Sequence, residues 1–364
     1  MDTVQLVISA STSLMQAQFV DLLVAVTPLV RDLLIGTAKA VDNQVSSDAP
    51  LTKSETQTPK LTPADRRISM GLTKRDNKLA VALLVEKDES SAERKAEHLA
   101  SEAGNSIAHL VTGVAQSSKV ERASSIDFDR QIGASVGHIR GYPGSLGCFV
   151  SVKSKAKDYL AFTSAAHVLS MLNRARKGDP VLFPGHPDGP RILGNKVGTL
   201  EDYTFLNHYN DELEWENLLN DVDVAVVKLV RPNDWPDTNL VPDPTEPNRR
   251  KRIRAVVEKD QLVDYLGKKV FKSGRTTQLT AGLFEVCGAT QYAIRLPDGK
   301  VYMYRDLLLI TGEGDKPFSE AGDSGALVYT EDFKALGFVV GASGSHTYVC
   351  SAAQCLTSVK AVLV

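Results

Sequence analysis

Residues 145–163 read SLGCFVSVKSKAKDYLAFT, and their pattern of apolar and polar residues decides the fold prediction. Two short apolar runs, Ser145–Val152 and Tyr159–Thr163, flank a polar, lysine-rich connection. Short apolar runs bounded by polar residues are typical of neighbouring β-strands. The same texture continues toward the C-terminus, where Gly, Pro and Asn fill the connections; the further predicted strands are 180–183, 222–229, 269–272, 282–286, 300–309, 326–329 and 336–341. Many short strands with little helix indicate a β-barrel or a β-sandwich.

A proline-rich segment, 231–254, divides this β-rich region into two halves. It contains five prolines and the basic run Arg249–Arg252. We expect this run to be a solvated loop, with a cleavage site or an anion patch as the alternatives. We therefore predict a mainly β fold with two barrels, at about 130–230 and 265–364, and a connection between them.

The N-terminal third has a different pattern. Residues 1–45 are predicted to be a helical segment, because apolar residues recur at helical spacing between 11 and 41. That apolar stripe packs as a helical hairpin on itself or on the rest of the protein, or it docks a protein partner or a second copy. Residues 46–66 are rich in Ser, Thr, Pro and charged residues, which is typical of a flexible linker.

Residues 67–125 are predicted to form a small α/β domain ahead of a larger domain at 126–364. The apolar runs 78–85 and 107–114 indicate strands, and the charged amphipathic stretch 90–103 between them indicates a helix. A right-handed crossover could pair the two strands in parallel. We expect the larger domain to fold without the smaller one.

The composition excludes several classes of protein. With 364 residues, 43% of them hydrophobic and 24% charged, the chain is typical of a soluble globular protein of two or three units. Its formal net charge of −2 argues against binding nucleic acid or an anionic membrane through bulk electrostatics. The apolar stretch 19–35 is interrupted by Asp21, Arg31 and Asp32, so we predict no membrane span. The N-terminus also lacks the pattern of a secretory signal peptide.

The cysteines and histidines indicate neither disulfides nor a metal site. Four cysteines, at 148, 287, 350 and 355, are too few and too scattered for the disulfide framework of a secreted protein. We predict buried thiols in a reducing, cytoplasmic compartment. Of the seven histidines, the six other than His167 show no paired metal-binding spacing, so we predict no metal and no cofactor.

Three short motifs follow one another along the chain. Phe162–His167 reads FTSAAH, a strand that ends in small residues before a histidine. Asp221–Leu229 reads DVDVAVVKL, in which acidic residues precede an apolar strand. Gly322–Leu327 reads GDSGAL, a serine in a glycine-flanked turn that leads into a strand. A histidine, an acid and a serine in these settings indicate nucleophilic catalysis.

Each of these residue types has a chemical reason to be present. A serine hydroxyl is a weak nucleophile, so Ser324 would need a hydrogen-bonded base, for which His167 is the candidate. A buried carboxylate on the other ring nitrogen fixes the tautomer of such a histidine. Gly322 lets the backbone N–H groups of Gly322 and Ser324 converge as an oxyanion hole, a contribution of about 3 kcal/mol per donor.

The order His, Asp, Ser, with GDSG around the serine, resembles the chymotrypsin-like serine peptidases. Lys272–Thr277 (KSGRTT), followed by 280–282 (TAG), is similar to the start of the second barrel in streptogrisin-like bacterial enzymes. Gly133–Val150 (GASVGHIRGYPGSLGCFV) resembles the start of the first barrel in intracellular trypsin-like peptidases of bacteria and plants. The resemblance covers about residues 131–364 and implies two six-stranded antiparallel barrels and hydrolysis of peptide bonds in a polypeptide substrate.

Two acidic residues compete for the role of the carboxylate. Asp223 directly precedes the run Val-Ala-Val-Val, as the acid of the family's motif does. Asp221 lies two residues earlier on the same strand face and could be a loop residue. We favour Asp223 and leave Asp221 open.

The resemblance also implies a substrate pocket. Aligned on GDSG, Phe318 takes the place at the pocket base where trypsin-like enzymes have an aspartate, and the wall falls at Val340, Gly341 and Ala342. Without an acid at the base, we expect a preference for a small or apolar substrate side chain rather than Lys or Arg.

The sequence departs from the family pattern in two places. His167 is followed by Val168, so the disulfide that many secreted relatives form beside this histidine is missing, and Cys148 lacks its usual partner. No activating Ile-Val-Gly-Gly-like terminus is present, so Asp323 cannot pair with a newly cut N-terminus. We expect activity to be either constitutive or controlled through the N-terminal part.

Three functions stay open at this point. The first is a serine endopeptidase that works through an acyl-enzyme and is regulated or recruited through its N-terminal region. The alternatives are a catalytically silent binding module that kept a protease fold, and a protease effector of a bacterial stress or antiviral system, the latter by analogy of fold. A complete triad favours the enzyme, because a binding scaffold has no physical need for all three groups.

Overall fold

The computed structural model describes most of the chain after the predicted N-terminal segment and linker. The described residues are 68–86, 93–94, 96–97, 100–101, 107–117, 129–154, 157–210, 218–246, 248–289, 292–314, 316–344 and 346–364. The helical segment predicted for 1–45 and the linker predicted for 46–66 lie outside them.

Short strands dominate the described residues. In chain order they are β1 (Ile68–Arg75), β2 (Lys78–Glu86), β3 (Ile107–Thr112), β4 (Ser135–His138), β5 (Pro143–Ser145), β6 (Phe149–Val152), β7 (Tyr159–Ser164), β8 (Pro180–Leu182), β9 (Lys196–Tyr203), β10 (Leu219–Asn220), β11 (Ala225–Leu229), β12 (Leu240–Pro242), β13 (Arg250–Arg252), β14 (Ala255–Val256), β15 (Lys269–Gly274), β16 (Gln278–Ala289), β17 (Tyr292–Arg295), β18 (Val301–Tyr304), β19 (Leu307–Gly312), β20 (Leu327–Thr330), β21 (Lys334–Ser343), β22 (His346–Ser351) and β23 (Ala361–Leu363). The helices are α1 (Ala166–Leu169), α2 (Leu262–Tyr265) and α3 (Ala352–Ser358), and residues 93–94, 96–97 and 100–101 are also helical. No helix among the described residues is long and apolar enough to cross a membrane.

The first barrel sheet has the strand order β23-β6-β7-β11-β9-β8-β4-β5, with short strands at both ends. Neighbouring strands are antiparallel, and β6 and β7 place Phe149 opposite Phe162. Both rings are buried against Trp235, with ring centroids 6.0 and 6.2 Å away. Because Trp235 belongs to the proline-rich connection, that connection covers part of the apolar face of this sheet.

Six strands of the second sheet close into a barrel. The order β15-β20-β21-β22-β19-β16 returns to its start because β15 also pairs with β16. The core of this barrel includes Phe284, Ile310, Phe318, Val328 and Val349, none of which has exposed surface. Burying each of these side chains contributes about 1.5–3 kcal/mol to folding. The two sheets confirm the predicted mainly β, two-barrel fold.

A hairpin and a parallel strand precede the barrels. β1 and β2 are joined by Asp76 and Asn77, whose φ angles of 50° and 61° suit a two-residue hairpin turn. β3 runs parallel to β2, with Val81 opposite Ile107, so the parallel pair that the sequence predicts is present. The boundary between the two predicted domains stays a prediction.

β1 attaches this hairpin to the second barrel. Leu72 lies opposite Cys287 of β16, and both side chains are fully buried. A Cβ at Gly71 would lie 2.4 Å from the side-chain atom Val286 Cγ1 and 3.0 Å from the carbonyl oxygen of Cys287, so a larger residue would have to displace β16 there. β1 is a strand that the sequence pattern does not single out, and it makes one continuous sheet of the hairpin and the barrel.

The four cysteines are all free and buried, as the sequence predicts. Burial raises the pKa of the Cys148 and Cys287 thiols to about 12. Both thiols are therefore neutral at physiological pH, and neutral thiols react slowly with oxidants and alkylating agents.

Reducing agent is expected to leave the stability of the protein unchanged. Losing a disulfide typically costs about 2–4 kcal/mol, which would lower the melting temperature of a protein this large by several degrees. Here dithiothreitol has no bond to break, because all four sulfurs are thiols. Thermal unfolding with and without dithiothreitol measures the effect, and a drop of several degrees would reveal a disulfide in solution.

Candidate active site

The end of β7 places His167. The strand stops at Ser164, and the small residues Ala165 and Ala166 lead into α1, which contains His167. The backbone N–H of His167 donates to Asp223 Oδ1 at 2.9 Å. The histidine is buried, so contacts with the protein rather than with solvent determine where its ring lies.

The register of β11 against β7 brings Asp223 next to His167. Asp223 comes shortly before β11, which pairs with β7 so that Ala225 lies opposite Ser164. Its Oδ2 lies 2.6 Å from His167 Nδ1, and the hydroxyl of Tyr304 donates to the same oxygen at 3.1 Å. Burial alone would raise the pKa of Asp223, but attraction to His167 and the hydrogen bonds hold it below its ordinary value.

Asp221 lies away from the histidine. Its two carboxylate oxygens accept hydrogen bonds from the guanidinium of Arg305, one of them at 2.9 Å. This ion pair is partly exposed at the surface. Of the two acids that the sequence leaves open, Asp223 is the one that contacts His167.

Glycine determines the shape of the turn around Ser324. Gly322 and Gly325 have φ angles of 102° and 87°, a region that favours glycine. A Cβ at Gly325 would lie 2.5 Å from Ser164 Oγ, so the turn packs directly against the end of β7. The carbonyl of Ser324 accepts the backbone N–H of Ser145 at 2.8 Å. These contacts join the two barrels at the serine.

Two backbone donors of this turn are free. In the described part of the chain, the N–H groups of Gly322 and Ser324 have no hydrogen-bond partner. The N–H of Asp323, between them, donates to the carbonyl of Glu320 at 3.0 Å. Free donors on one turn can stabilise an anionic oxygen without any rearrangement of the backbone.

The carboxylate of Asp323 is buried behind the turn. It accepts hydrogen bonds from the Thr276 N–H (2.8 Å), the Thr277 hydroxyl (2.6 Å) and the Glu320 N–H (3.0 Å). Lys272 Nζ lies 3.4 Å from Asp323 Oδ2, and neither side chain is exposed. Burial lowers the pKa of Lys272, and attraction to Asp323 opposes that shift. A lysine of the KSGRTT motif therefore provides the cation for Asp323.

Replacing Lys272 with Met should destabilise the fold strongly. The variant leaves the Asp323 carboxylate buried without its cation, and breaking a buried pair from one side costs about 3–5 kcal/mol. Urea unfolding measures the loss of stability. The matched control is Lys334→Met, because Lys334 pairs with Asp332 at the surface, where ion pairs contribute little. Equal losses in the two variants would contradict the role assigned to Lys272.

A residue that the sequence analysis did not identify, Ser117, lies between His167 and Ser324. Its Oγ is 3.1 Å from His167 Nε2 and 3.1 Å from Ser324 Oγ. Ser324 Oγ also lies 3.4 Å from the carbonyl oxygen of Val340. No hydrogen bond joins Ser324 directly to His167 within the described residues, so a third hydroxyl connects them. Ser117 follows a strand in a polar stretch without a motif, so no local signal could have found it.

The predicted pocket residues lie in the second barrel. Phe318 is fully buried in the barrel core, with the Lys272 ammonium 5.8 Å from the centre of its ring. Val340, Gly341 and Ala342 follow one another on β21, beside the chain segment that carries Ser117. None of the four pocket residues carries a charge. Their assignment to a substrate pocket stays a prediction.

A cleft of about 350 Å³ contains His167 and Ser324. Ser117 also lines it, with residues of the first barrel and the loop after β17: Arg140, Gly141, Tyr142, Pro143, Val168, Met171, Leu172, Arg174, Pro297 and Asp298. A larger cavity of about 930 Å³ is lined by Asp221 and Arg305 among others and includes none of the three candidate catalytic residues. Across the residues described, no three His, Cys, Asp or Glu side chains are grouped to hold a metal ion.

Comparisons with known proteins give similar structures but no matching family. No protein-family model and no curated protein matches the chain. Protease A of Thermobifida fusca is similar, with a TM-score of 0.43 and 18% identity over 65% of this chain and 98% of that one. A Nocardiopsis protease has a TM-score of 0.43 and 19% identity over 65% of this chain and 98% of its own. For Cellulomonas bogoriensis chymotrypsin the TM-score is 0.39 and the identity 18%, over 65% and 99% of the two chains.

Proposed function

We propose that this protein is a serine endopeptidase that hydrolyses peptide bonds through an acyl-enzyme intermediate. The observation that carries the proposal is the 2.6 Å contact between Asp223 Oδ2 and His167 Nδ1. The turn that carries Ser324 packs against the end of β7, on the side of the His167 ring that carries Nε2. A carboxylate on Nδ1 leaves Nε2 as the nitrogen that can take a proton from a serine hydroxyl.

In the proposed reaction, His167 Nε2 takes the Ser324 proton while the hydroxyl oxygen forms a bond to the scissile carbonyl carbon. The carbonyl electrons move onto its oxygen, which the N–H groups of Gly322 and Ser324 stabilise. The imidazolium then gives its proton to the leaving amine as the C–N bond breaks. Water repeats the sequence on the acyl-enzyme and releases the new carboxylic acid.

Asp223 would hold the imidazole in its productive tautomer and stabilise the imidazolium. Its lowered pKa keeps it ionised at neutral pH. Tyr304 acts through Asp223 as a positioning residue, since its hydroxyl donates to the oxygen that faces His167. Burial and the neighbouring carboxylate raise the pKa of Tyr304 well above its ordinary value, so its hydroxyl remains a donor.

The proposal includes a preference for a small or apolar side chain before the cleaved bond. It is supported by the uncharged set Phe318, Val340, Gly341 and Ala342. An acid at the pocket base would be needed to favour Lys or Arg. Profiling the cleavage of a peptide library by the purified protein tests this part, and a majority of cleavages after Lys or Arg would contradict it.

Control through the N-terminal region is also part of the proposal. The β1–β2 hairpin and β3 belong to the sheet of the second barrel, and the chain that follows β3 reaches His167 and Ser324. A partner or a second copy that binds the β1–β2 hairpin or β3 could therefore shift the chain after β3 and so change the candidate active site.

A fluorophosphonate probe, which reacts covalently with activated serines, tests the proposed function. We expect the wild-type protein to be labelled and the Ser324→Ala variant to stay unlabelled. A catalytically silent binding module would show no labelling in either protein. Labelling of both proteins would show that the reactive serine is not Ser324.

A further inference from the structure

The chain after β3 enters the candidate active site as an added strand. Gln116 and Ala342 of β21 exchange two backbone hydrogen bonds, each of 3.0 Å, in the antiparallel manner. On the other side, the Ser117 N–H donates to Arg295 O and the Arg295 N–H donates to Ala115 O, both at 2.9 Å. Residues 115–117, which we name the inserted segment, thus lie between β17 and β21.

A cluster of hydroxyls fixes the upstream end of this segment. Thr112 Oγ1 lies 2.6 Å from Tyr292 OH, which lies 2.6 Å from Tyr348 OH. Ser343 Oγ continues the cluster, 2.8 Å from Tyr348 OH. All four side chains are buried. β3 is therefore tied to the strands that flank the inserted segment, and Ser117 is delivered to a defined place.

The inserted segment lies where an extended polypeptide would have to bind. Extended peptides commonly bind by adding a strand to an open sheet edge, with affinity from main-chain hydrogen bonds. The edge of β21 at Ala342 offers both an N–H and a carbonyl, and two residues earlier the Val340 carbonyl lies 3.4 Å from Ser324 Oγ. A peptide on this edge would reach the nucleophile, but Gln116 already uses both groups at Ala342.

Ser117 also contacts both the candidate nucleophile and its base. Its hydroxyl oxygen is within hydrogen-bond distance of both His167 Nε2 and Ser324 Oγ. Direct proton transfer from Ser324 to His167 needs a hydrogen bond between these two side chains. No such direct bond is present among the described residues, and the contacts of Ser117 with both side chains compete with it.

We propose that the inserted segment is an internal inhibitor, which occupies the substrate edge of β21 and interrupts the contact between Ser324 and His167. Only the molecules in which residues 115–117 have left the edge are active, so the wild type keeps a fraction of the full activity, and an extended polypeptide takes the place of the segment. This inference rests on the proposed serine endopeptidase function and names the way in which the N-terminal region would control it.

A proline at position 116 tests the proposal. Gln116→Pro removes the N–H that donates to Ala342 and weakens the hold of the segment, while the peptide-binding groups of β21 stay intact. We expect kcat/KM for a peptide substrate to rise about tenfold, equivalent to about 1.4 kcal/mol. The matched control is Gln116→Ala, which trims an exposed side chain, keeps both backbone bonds and should match the wild type. A folded Gln116→Pro variant with unchanged kcat/KM overturns the proposal. A kcat/KM in Ser117→Ala that is lower than in the wild type also overturns it, because that would make Ser117 a proton relay.

A reversible lock gives an independent test should the proline variant fail to fold. A Cβ at Gly113 would lie 3.4 Å from Ser343 Cβ, close to the spacing that a disulfide spans. The double variant Gly113→Cys, Ser343→Cys should lose at least about tenfold in peptide hydrolysis when oxidised and regain it with dithiothreitol. Equal activity of the two forms overturns the inhibitor role and leaves the enzyme assignment standing. If no variant hydrolyses peptide or takes the fluorophosphonate label, the proposed function itself fails.

Discussion

A Ser324→Ala variant is expected to lose peptide hydrolysis almost completely, with kcat lower by about 10⁶-fold. The substitution removes the oxygen that would attack the substrate and leaves the backbone of the turn unchanged. Its stability should stay close to that of the wild type, because Ser324 Oγ has only hydroxyl and carbonyl contacts at 3.1–3.4 Å to lose. Steady-state hydrolysis of a peptide, together with thermal unfolding, measures both effects.

The control for this variant is Ser358→Ala, which removes a hydroxyl at the end of α3 that donates to the carbonyl of Cys355. It should hydrolyse peptide like the wild type. Unchanged kcat/KM in Ser324→Ala would remove Ser324 from the mechanism. Loss of activity together with loss of folding would instead point to a structural role for the hydroxyl.

An Asp223→Asn variant should lower kcat by about 10⁴-fold. An amide can donate to His167 Nδ1 and move the ring proton to Nε2, which leaves no lone pair to accept the serine proton. Asp221→Asn is the matched control, because it makes the same chemical change two residues away in a carboxylate that pairs with Arg305. Comparing kcat for the two variants with the same peptide measures the difference.

If Asp221→Asn has the larger effect, the pairing of β7 with β11 in solution differs from the one described by two residues. If kcat falls equally in both variants, the ion pair between Asp221 and Arg305 is as important for catalysis as Asp223. Only a large loss in Asp223→Asn with a small one in Asp221→Asn agrees with the proposed role of the carboxylate.

The fold could be predicted because its strands are short, apolar and separated by strong turn residues. The choice between Asp223 and Asp221 shows where local patterns stop being sufficient. Both lie in one run of sequence, and it is the register of β11 against β7 that turns Asp223 toward His167. Register depends on partner strands far along the chain, so the sequence motif could favour one residue without fixing its contact.

The contacts that the sequence did not reveal all join remote segments. Tyr304 reaches Asp223 across 81 residues, and Ser117 reaches Ser324 across 207. Neither a tyrosine in a short strand nor a serine after a strand carries a local signature, since only the folded chain brings them to the site. β1 was not predicted for a similar reason. It pairs with β16, which lies far along the chain, at Leu72 and Cys287, and Gly71 packs closely against β16.

The lysine that faces Asp323 determines when the turn that carries Ser324 becomes ordered. Lys272 comes from the same chain and is present from synthesis, so the turn that carries Ser324 has its buried cation as soon as folding ends. No later chemical step is then needed to put this turn in order. A molecule with the proposed peptidase activity could then cleave neighbouring proteins as soon as it has folded, unless access to its cleft were limited. A block built from hydrogen bonds can be released and restored many times in the life of one molecule, whereas a cut in the chain can be made only once.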